Sequence, residues 1–185
     1  MRVVGGRFKG LTLATPKGHA IRPTSDRLRE AVFNILEHSY DDPVSGARVL
    51  DLCAGTGALG IEALSRGARS AVFVDMSAEA RALIRRNLEA AGIMGLARIS
   101  KRDVAHLGPA GQQGGFTLAF LDPPYEKGLA DKALAGLSRG GWLAEGALAV
   151  VEERAGVELK LPPGYMERER RTYGDSEIRI LSNAP

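Results

Sequence analysis

The sequence predicts an α/β domain built on a mostly parallel sheet with helices on both faces, and three observations carry that expectation. Short apolar runs alternate with helically periodic segments along most of the chain. A glycine-rich turn, Ala54-Gly55-Thr56-Gly57, directly follows the first clear strand. The last two strand-like runs flank a tight turn, so the sheet should finish in an antiparallel hairpin.

Composition sets the scale. With 185 residues, 44% of them hydrophobic and 25% charged, the chain can bury one full core and not two. We expect a basic extension, residues 1–22, ahead of one domain, residues 23–185. In the extension, residues 2–4 and 11–13 are β-prone and flank Gly5, Gly6 and Gly10, which predicts a small hairpin. Thr24, Ser25 and Asp26 can each cap a helix, and Leu28, Ala31, Val32, Ile35 and Leu36 continue it as one apolar face to about residue 38.

Next come a strand at 48–51, a helix stopped by Gly67, a strand at 71–75, and a helix from a Ser77 cap to Gly92. A weak strand at 97–100 precedes a polar loop at 108–115 and a clear strand at 117–122. A helix near 130–137, a strand at 147–152 and the hairpin 167–171 and 177–181 around Tyr173-Gly174-Asp175 complete the series.

Several function classes drop out. Cys53 is the single cysteine, so no intramolecular disulfide can form, and the start of the chain lacks the apolar run of a signal peptide. Charged or turn residues interrupt every apolar run before membrane-spanning length. A cytoplasmic protein, with no membrane partner, is expected. His19, His38 and His106 have no spacing that suggests a metal site or a base, so no metal is expected. The formal net charge is +3, but basic residues crowd the N-terminus: Arg2, Arg7, Lys9, Lys17, Arg22, Arg27 and Arg29 face only Asp26 as an acid before residue 30. Such a stretch suits phosphate contact, or it is simply a solvated surface.

Two motifs carry chemistry. Asp51-Leu-Cys-Ala-Gly-Thr-Gly-Ala-Leu-Gly60 holds the G-x-G-x-x-G spacing of a turn that brings backbone close to a nucleotide. A carboxylate at the strand end repels the pyrophosphate of a dinucleotide and favours a ligand bearing a sulfonium and an ammonium, such as S-adenosylmethionine. Asp75, at the end of the next strand, stands where an acid accepts ribose hydroxyls. Asp103, after the weak third strand, is placed to accept an adenine amino group.

The second motif is Asp122-Pro123-Pro124-Tyr125 after Leu118-Ala119-Phe120-Leu121. Two prolines hold the chain in an extended turn, so the Asp122 carboxylate and the Pro123 carbonyl can each accept one N–H of an exocyclic base amine. That frees the nitrogen lone pair for a methyl group, while Tyr125 offers an aromatic face to a base withdrawn from its stack.

Together with Arg22-Pro-Thr-Ser-Asp-Arg-Leu-Arg-Glu-Ala-Val-Phe-Asn-Ile-Leu36 and Tyr173-Gly-Asp-Ser176, these motifs make the chain resemble the bacterial 16S rRNA guanine-N2 methyltransferases, over nearly its whole length. The resemblance implies a Rossmann-like class I methyltransferase domain, with a seven-stranded sheet containing one reversed strand. It implies S-adenosylmethionine as donor, S-adenosylhomocysteine as product, and a guanine of 16S rRNA in the assembled small ribosomal subunit as acceptor. Carried over by position, Asp51, Gly55, Gly57, Asp75 and Asp103 would bind cofactor, with Cys53, Met76 and Val104 beside them. Asp122, Pro123, Pro124 and Tyr125 would be catalytic. The segment 24–29 would border the cofactor and substrate cleft; with the basic arm, this makes Arg2, Arg7, Lys9, Arg22, Thr24 and Arg27 the candidate substrate-binding residues. Cys53 and Ser176 depart from the family pattern at positions expected to tolerate change. A monomer is expected.

Three rivals stay open on sequence: a DNA adenine-N6 methyltransferase, a protein-glutamine methyltransferase, and a non-catalytic RNA-binding module. The first usually carries a target-recognition region for which little chain is left here, and the second commonly opens its tetrapeptide with Asn rather than Asp122. The intact acids and tyrosine argue against the third.

Overall fold

A computed structural model of the chain describes residues 1–18, 24–125 and 128–184. Arg22, expected at the RNA surface, lies outside the described residues. The elements run α1 (Asp26–Ser39), β1 (Arg48–Leu52), α2 (Ala58–Ser65), β2 (Ser70–Val74), α3 (Ala78–Ala91), β3 (Ala97–Ser100), β4 (Phe116–Leu121), α4 (Leu129–Gly140), β5 (Leu143–Arg154), β6 (Tyr165–Tyr173) and β7 (Ser176–Asn183). One seven-stranded sheet has the order β3-β2-β1-β4-β5-β7-β6. The pairs β1·β2, β1·β4, β2·β3 and β4·β5 are parallel, and β7 runs antiparallel to both neighbours, so it is the reversed strand.

Residue alternation along the central strands divides the core into two layers. Val49, Leu118 and Phe120 face one layer with Val32, Phe33 and Leu36 of α1, Ile61 and Leu64 of α2, and Ile84 and Leu88 of α3. Leu50, Leu52, Ala119 and Leu121 face the other with Ala130, Ala133, Leu134 and Leu137 of α4. The Phe33 and Phe120 rings meet at 5.5 Å between centroids.

Local chemistry sets the helix ends. The Ser25 hydroxyl accepts the Leu28 N–H at 3.1 Å and that of Ser77 accepts the Ala80 N–H at 3.2 Å, while Gly92 ends α3 in the left-handed conformation. The N-terminal hairpin forms around a single antiparallel bridge between Arg2 and Thr12. It is sewn to the domain: Val3 and Leu13 are buried in the first core layer, and the N–H groups of Val4, Phe8 and Ala14 donate to Glu62, Ser65 and Asn87.

Strands 5 and 6 are longer than their patterns suggested. The first residues of β5 include exposed Glu145 and Gly146, the latter at φ 75°, and the register shifts between the Phe116↔Leu143 and Leu118↔Leu148 pairs. A polar bulge interrupts the apolar run there without ending the strand.

Gly60 lets α2 approach β2 closely: a Cβ at this position would stand 2.4 Å from Phe73 Cε1. Gly60→Val should therefore destabilise the fold by about 1–3 kcal/mol, measured by urea unfolding; an unchanged midpoint would show that α2 can move away at no cost.

Candidate active site

The carboxyl ends of the parallel strands open into one cavity of about 850 Å³, the location expected for a ligand in a sheet of this kind. Its wall begins with the glycine loop. Cys53, Gly55 and Gly57 take positive φ values of 56°, 60° and 80°, so the loop turns sharply between β1 and α2. Asp51 lies beneath it, 1% exposed, and its Oδ2 accepts the Gly60 N–H at 3.0 Å. Asp75 spans the next gap: Oδ2 accepts the Gly55 N–H at 3.0 Å and Oδ1 the Ser77 N–H at 2.9 Å. Asp103 accepts the Ala105 N–H at 2.9 Å and sits 3.1 Å from His106 Nδ1.

This donor and acceptor set disfavours a pyrophosphate at the glycine loop. Carboxylates already occupy the Gly55 and Gly60 N–H groups that a pyrophosphate would need. A ligand with cationic groups and sugar hydroxyls meets acceptors instead. Burial, opposed by the Gly60 hydrogen bond and reinforced by nearby Asp75, pushes the Asp51 carboxyl up to about 8. Burial also raises the Cys53 thiol, helped by the surrounding acids, so this cysteine stays a neutral wall residue. The imidazole of His106, then the Ala105 N–H, hold Asp103 below the usual carboxylate range.

The opposite wall is the turn after β4. Asp122, Pro123, Pro124 and Tyr125 all line the cavity, together with Thr24. The Thr24 hydroxyl donates to Asp122 Oδ2 at 2.9 Å. The parallel register pairs Leu121 with Val151, which sets Asp122 beside Glu152 at the ends of β4 and β5. Glu152 is buried and its Oε1 accepts the Ser176 hydroxyl at 3.1 Å, while Ser176 Oγ lies 2.8 Å from the Tyr125 hydroxyl. Burial first, and then the neighbouring Glu152 carboxyl, push the Asp122 carboxyl well above its ordinary range, against the lowering effect of Thr24. Among the described residues, no ion pair involves Asp51, Asp122 or Glu152.

The cavity thus gathers Asp51, Cys53, Gly55, Asp75, Met76, Asp103 and Val104 with Thr24 and the 122–125 turn. Gly57 stands behind the wall: its N–H donates to the Ala54 carbonyl, and a Cβ would meet Ile84, Ile61 and Phe73 at 3.3–3.4 Å. Arg2, Arg7, Lys9 and Arg27 are exposed and do not line it. Glu152 and Ser176 were missed from sequence. The only signal for Glu152 was an acid closing an apolar run one strand beyond Asp122, and Ser176, expected to tolerate change, links Tyr125 to that acid.

Strand order, one reversed strand, a glycine loop after β1 and an acid-prolyl turn after β4 define a methyltransferase of the Rossmann-like class I fold. The solved structure of yhhF from Escherichia coli matches with a TM-score of 0.85 at 30% identity, covering 100% of this chain and 98% of that one. Ribosomal RNA small subunit methyltransferase D of Escherichia coli (strain K12) is 35% identical over 162 residues, 88% of this chain and 78% of the relative. The protein of that name from Haemophilus influenzae (strain ATCC 51907 / DSM 11121 / KW20 / Rd) is 30% identical over 185 residues, 99% of this chain and 94% of the relative. The chain belongs to the family described as "Conserved hypothetical protein 95", which matches residues 1–182.

The buried Asp51 carboxyl yields a pH signature. Its unfolded value is about 4 and its folded value about 8, so its contribution to stability is complete below pH 4 and is lost as pH rises through 8. Stability of the ligand-free protein should fall with pH in that window more steeply than that of Asp51→Asn, by at most about 1.4 kcal/mol per pH unit. Parallel melting profiles for the two proteins would contradict the assignment.

Proposed function

We propose that the chain transfers a methyl group from S-adenosylmethionine to the exocyclic N2 amino group of a guanine in 16S rRNA, with the assembled small ribosomal subunit as substrate. The observation that carries this reading is the single cavity that joins an acidic, phosphate-excluding wall to the Asp122–Tyr125 turn. The family relatives named as ribosomal RNA small subunit methyltransferases support the polymer, and the sequence resemblance supports guanine.

The cofactor, when bound, supplies an electrophilic methyl carbon on a sulfonium and takes back the electron pair of the breaking S–C bond. This chain's residues do the rest. Asp51 sits under the glycine loop as a carboxyl whose ionised form a nearby cation stabilises. Asp75 and Asp103 offer acceptors for ribose hydroxyls and a base amine, while Met76 and Val104 add apolar wall. Asp122 accepts one amine N–H and the Pro123 carbonyl the other, which frees the nitrogen lone pair to form the N–C bond. Thr24 keeps the Asp122 carboxyl aimed into the cavity. The proton released from nitrogen passes to the carboxyl pair of Asp122 and Glu152. Tyr125, 38% exposed and tethered through Ser176, presents its ring as a stacking face. Holding the reacting atoms in line can contribute about 7–11 kcal/mol of the barrier reduction.

Exposed Arg2, Arg7, Lys9 and Arg27 make residues 1–18 and the start of α1 the phosphate-contacting surface. A monomer acting in the cytoplasm fits the remaining features. The exposed large hydrophobics Met76, Met94, Tyr125, Val157 and Met166 lie on separate elements, and among the described residues no helix is long and apolar enough to cross a membrane.

Labelled donor should be incubated with small subunits, naked rRNA and DNA, and the modified base mapped. Label on N2 of one guanine in subunits is expected; label confined to DNA or absent from all three overturns the reading. Asp122→Ala should lower turnover at least ~10²-fold while calorimetry shows S-adenosylhomocysteine affinity nearly unchanged. Replacing Arg2, Arg7 and Lys9 together by alanine should weaken subunit affinity and flatten its salt dependence, with a slope change of about 0.7–0.9 per lost phosphate contact. An identical salt slope would show that these cations only face solvent.

A further inference from the structure

Glu152 has no partner role in the methyl transfer beyond receiving a proton, yet it is among the most carefully held groups in the cavity. It lies near the end of β5, beside Asp122, which directly follows the neighbouring parallel strand β4, and the register is continuous from Leu118↔Leu148 to Leu121↔Val151. It is 7% exposed. One end of the carboxyl pair is fixed by Ser176 on Glu152 Oε1, at 3.1 Å, and the other by Thr24 on Asp122 Oδ2, at 2.9 Å. Between these clamps the two carboxyls stand beside each other on adjacent parallel strands. The result is two acceptor groups side by side, facing the point where the amine must sit.

Base chemistry gives that arrangement a meaning. Adenine and cytosine flank their exocyclic amine with ring nitrogen lone pairs. Guanine alone carries a ring N–H, at N1, next to its amine. If Asp122 and the Pro123 carbonyl hold the two amine hydrogens, N1–H needs a third acceptor on the same edge. We propose that Glu152 is a specificity-determining residue that accepts guanine N1–H while Asp122 holds the adjacent amine. This rests on the guanine reading above. As the base enters, its N–H donors meet the carboxyl oxygens that line this wall of the cavity. Adenine or cytosine would set a lone pair against Glu152 and leave a buried acceptor unpaired, a strong ground for rejection.

The test uses small subunits carrying either guanine or 2-aminopurine at the mapped position. 2-Aminopurine keeps the 2-amino group but has a lone pair at N1. The wild-type enzyme should favour guanine in kcat/KM by about 10²-fold or more, and Glu152→Gln, whose amide can donate to that lone pair, should compress the preference at least tenfold. A purely structural role would slow both substrates in proportion. S-Adenosylhomocysteine titration of Glu152→Gln verifies that the variant is folded, and if it is not, the wild-type preference decides alone. Wild-type turnover of both substrates within a few-fold, or an unchanged preference in a folded Glu152→Gln, overturns the proposal while methylation of guanine stands. If the wild-type enzyme methylates no guanine, the parent reading fails and this inference falls with it.

Discussion

Acidic side chains gathered at the carboxyl edge of the sheet, two of them buried there without an ion-pair partner among the described residues, are the constraint on which this molecule is organised. Asp51, Asp75, Asp103, Asp122 and Glu152 all face one cavity. Burying carboxylates is unfavourable unless hydrogen bonds or a cation compensate. The fold supplies the hydrogen bonds first: backbone N–H groups from Gly60, Gly55, Ser77 and Ala105, and hydroxyls from Thr24 and Ser176. What remains is a cavity rich in acceptor oxygens on both walls. The raised Asp51 and Asp122 carboxyls are two results of the same desolvation, one on each wall.

A second buried group ties the periphery to that edge. Arg29 is completely buried, donates to the carbonyls of Thr24 and Arg2, and pairs with Asp26 at 2.9 Å, with Glu62 of α2 at 4.0 Å from its Nε. Glu62 in turn accepts the Val4 N–H and binds Arg66. The hairpin, the start of α1 and α2 therefore share one polar node, and the Thr24 carbonyl it holds belongs to the residue whose hydroxyl orients Asp122. The N-terminal segment serves the site through this node, whatever its exposed cations contact.

Legibility followed the kind of signal each feature leaves. The strand and helix order, the Ser25 and Ser77 caps, the Gly92 stop and the closing hairpin were readable because period and cap chemistry are local. Asp51, Asp75 and the 122–125 turn were readable because each sits at the end of an apolar strand, and Asp103 because it follows the next strand in the alternation. The early part of β5 was not, since a bulge with a glycine and exposed acid resembles a loop. Arg29 read as one more basic residue of the N-terminal cluster, although its side chain points inward to carbonyls distant in sequence. Glu152 and Ser176 were invisible as a pair because only the insertion of β7 next to β5 brings them together.

That insertion has a consequence for the order in which the enzyme becomes complete. Because β7 runs against β5, it contributes its beginning to the carboxyl edge, right after the Tyr173-Gly174-Asp175 turn, where a parallel strand could offer only its end. It is also seventh in chain order yet interior in the sheet, with β6 depending on it for attachment. During vectorial synthesis every other strand exists before Ser176 can reach Glu152 and steady Tyr125. The glycine-loop wall of the cavity is thus made well before the strand that completes the wall around Glu152 and Tyr125, so the two sides of one cavity come into being at different times.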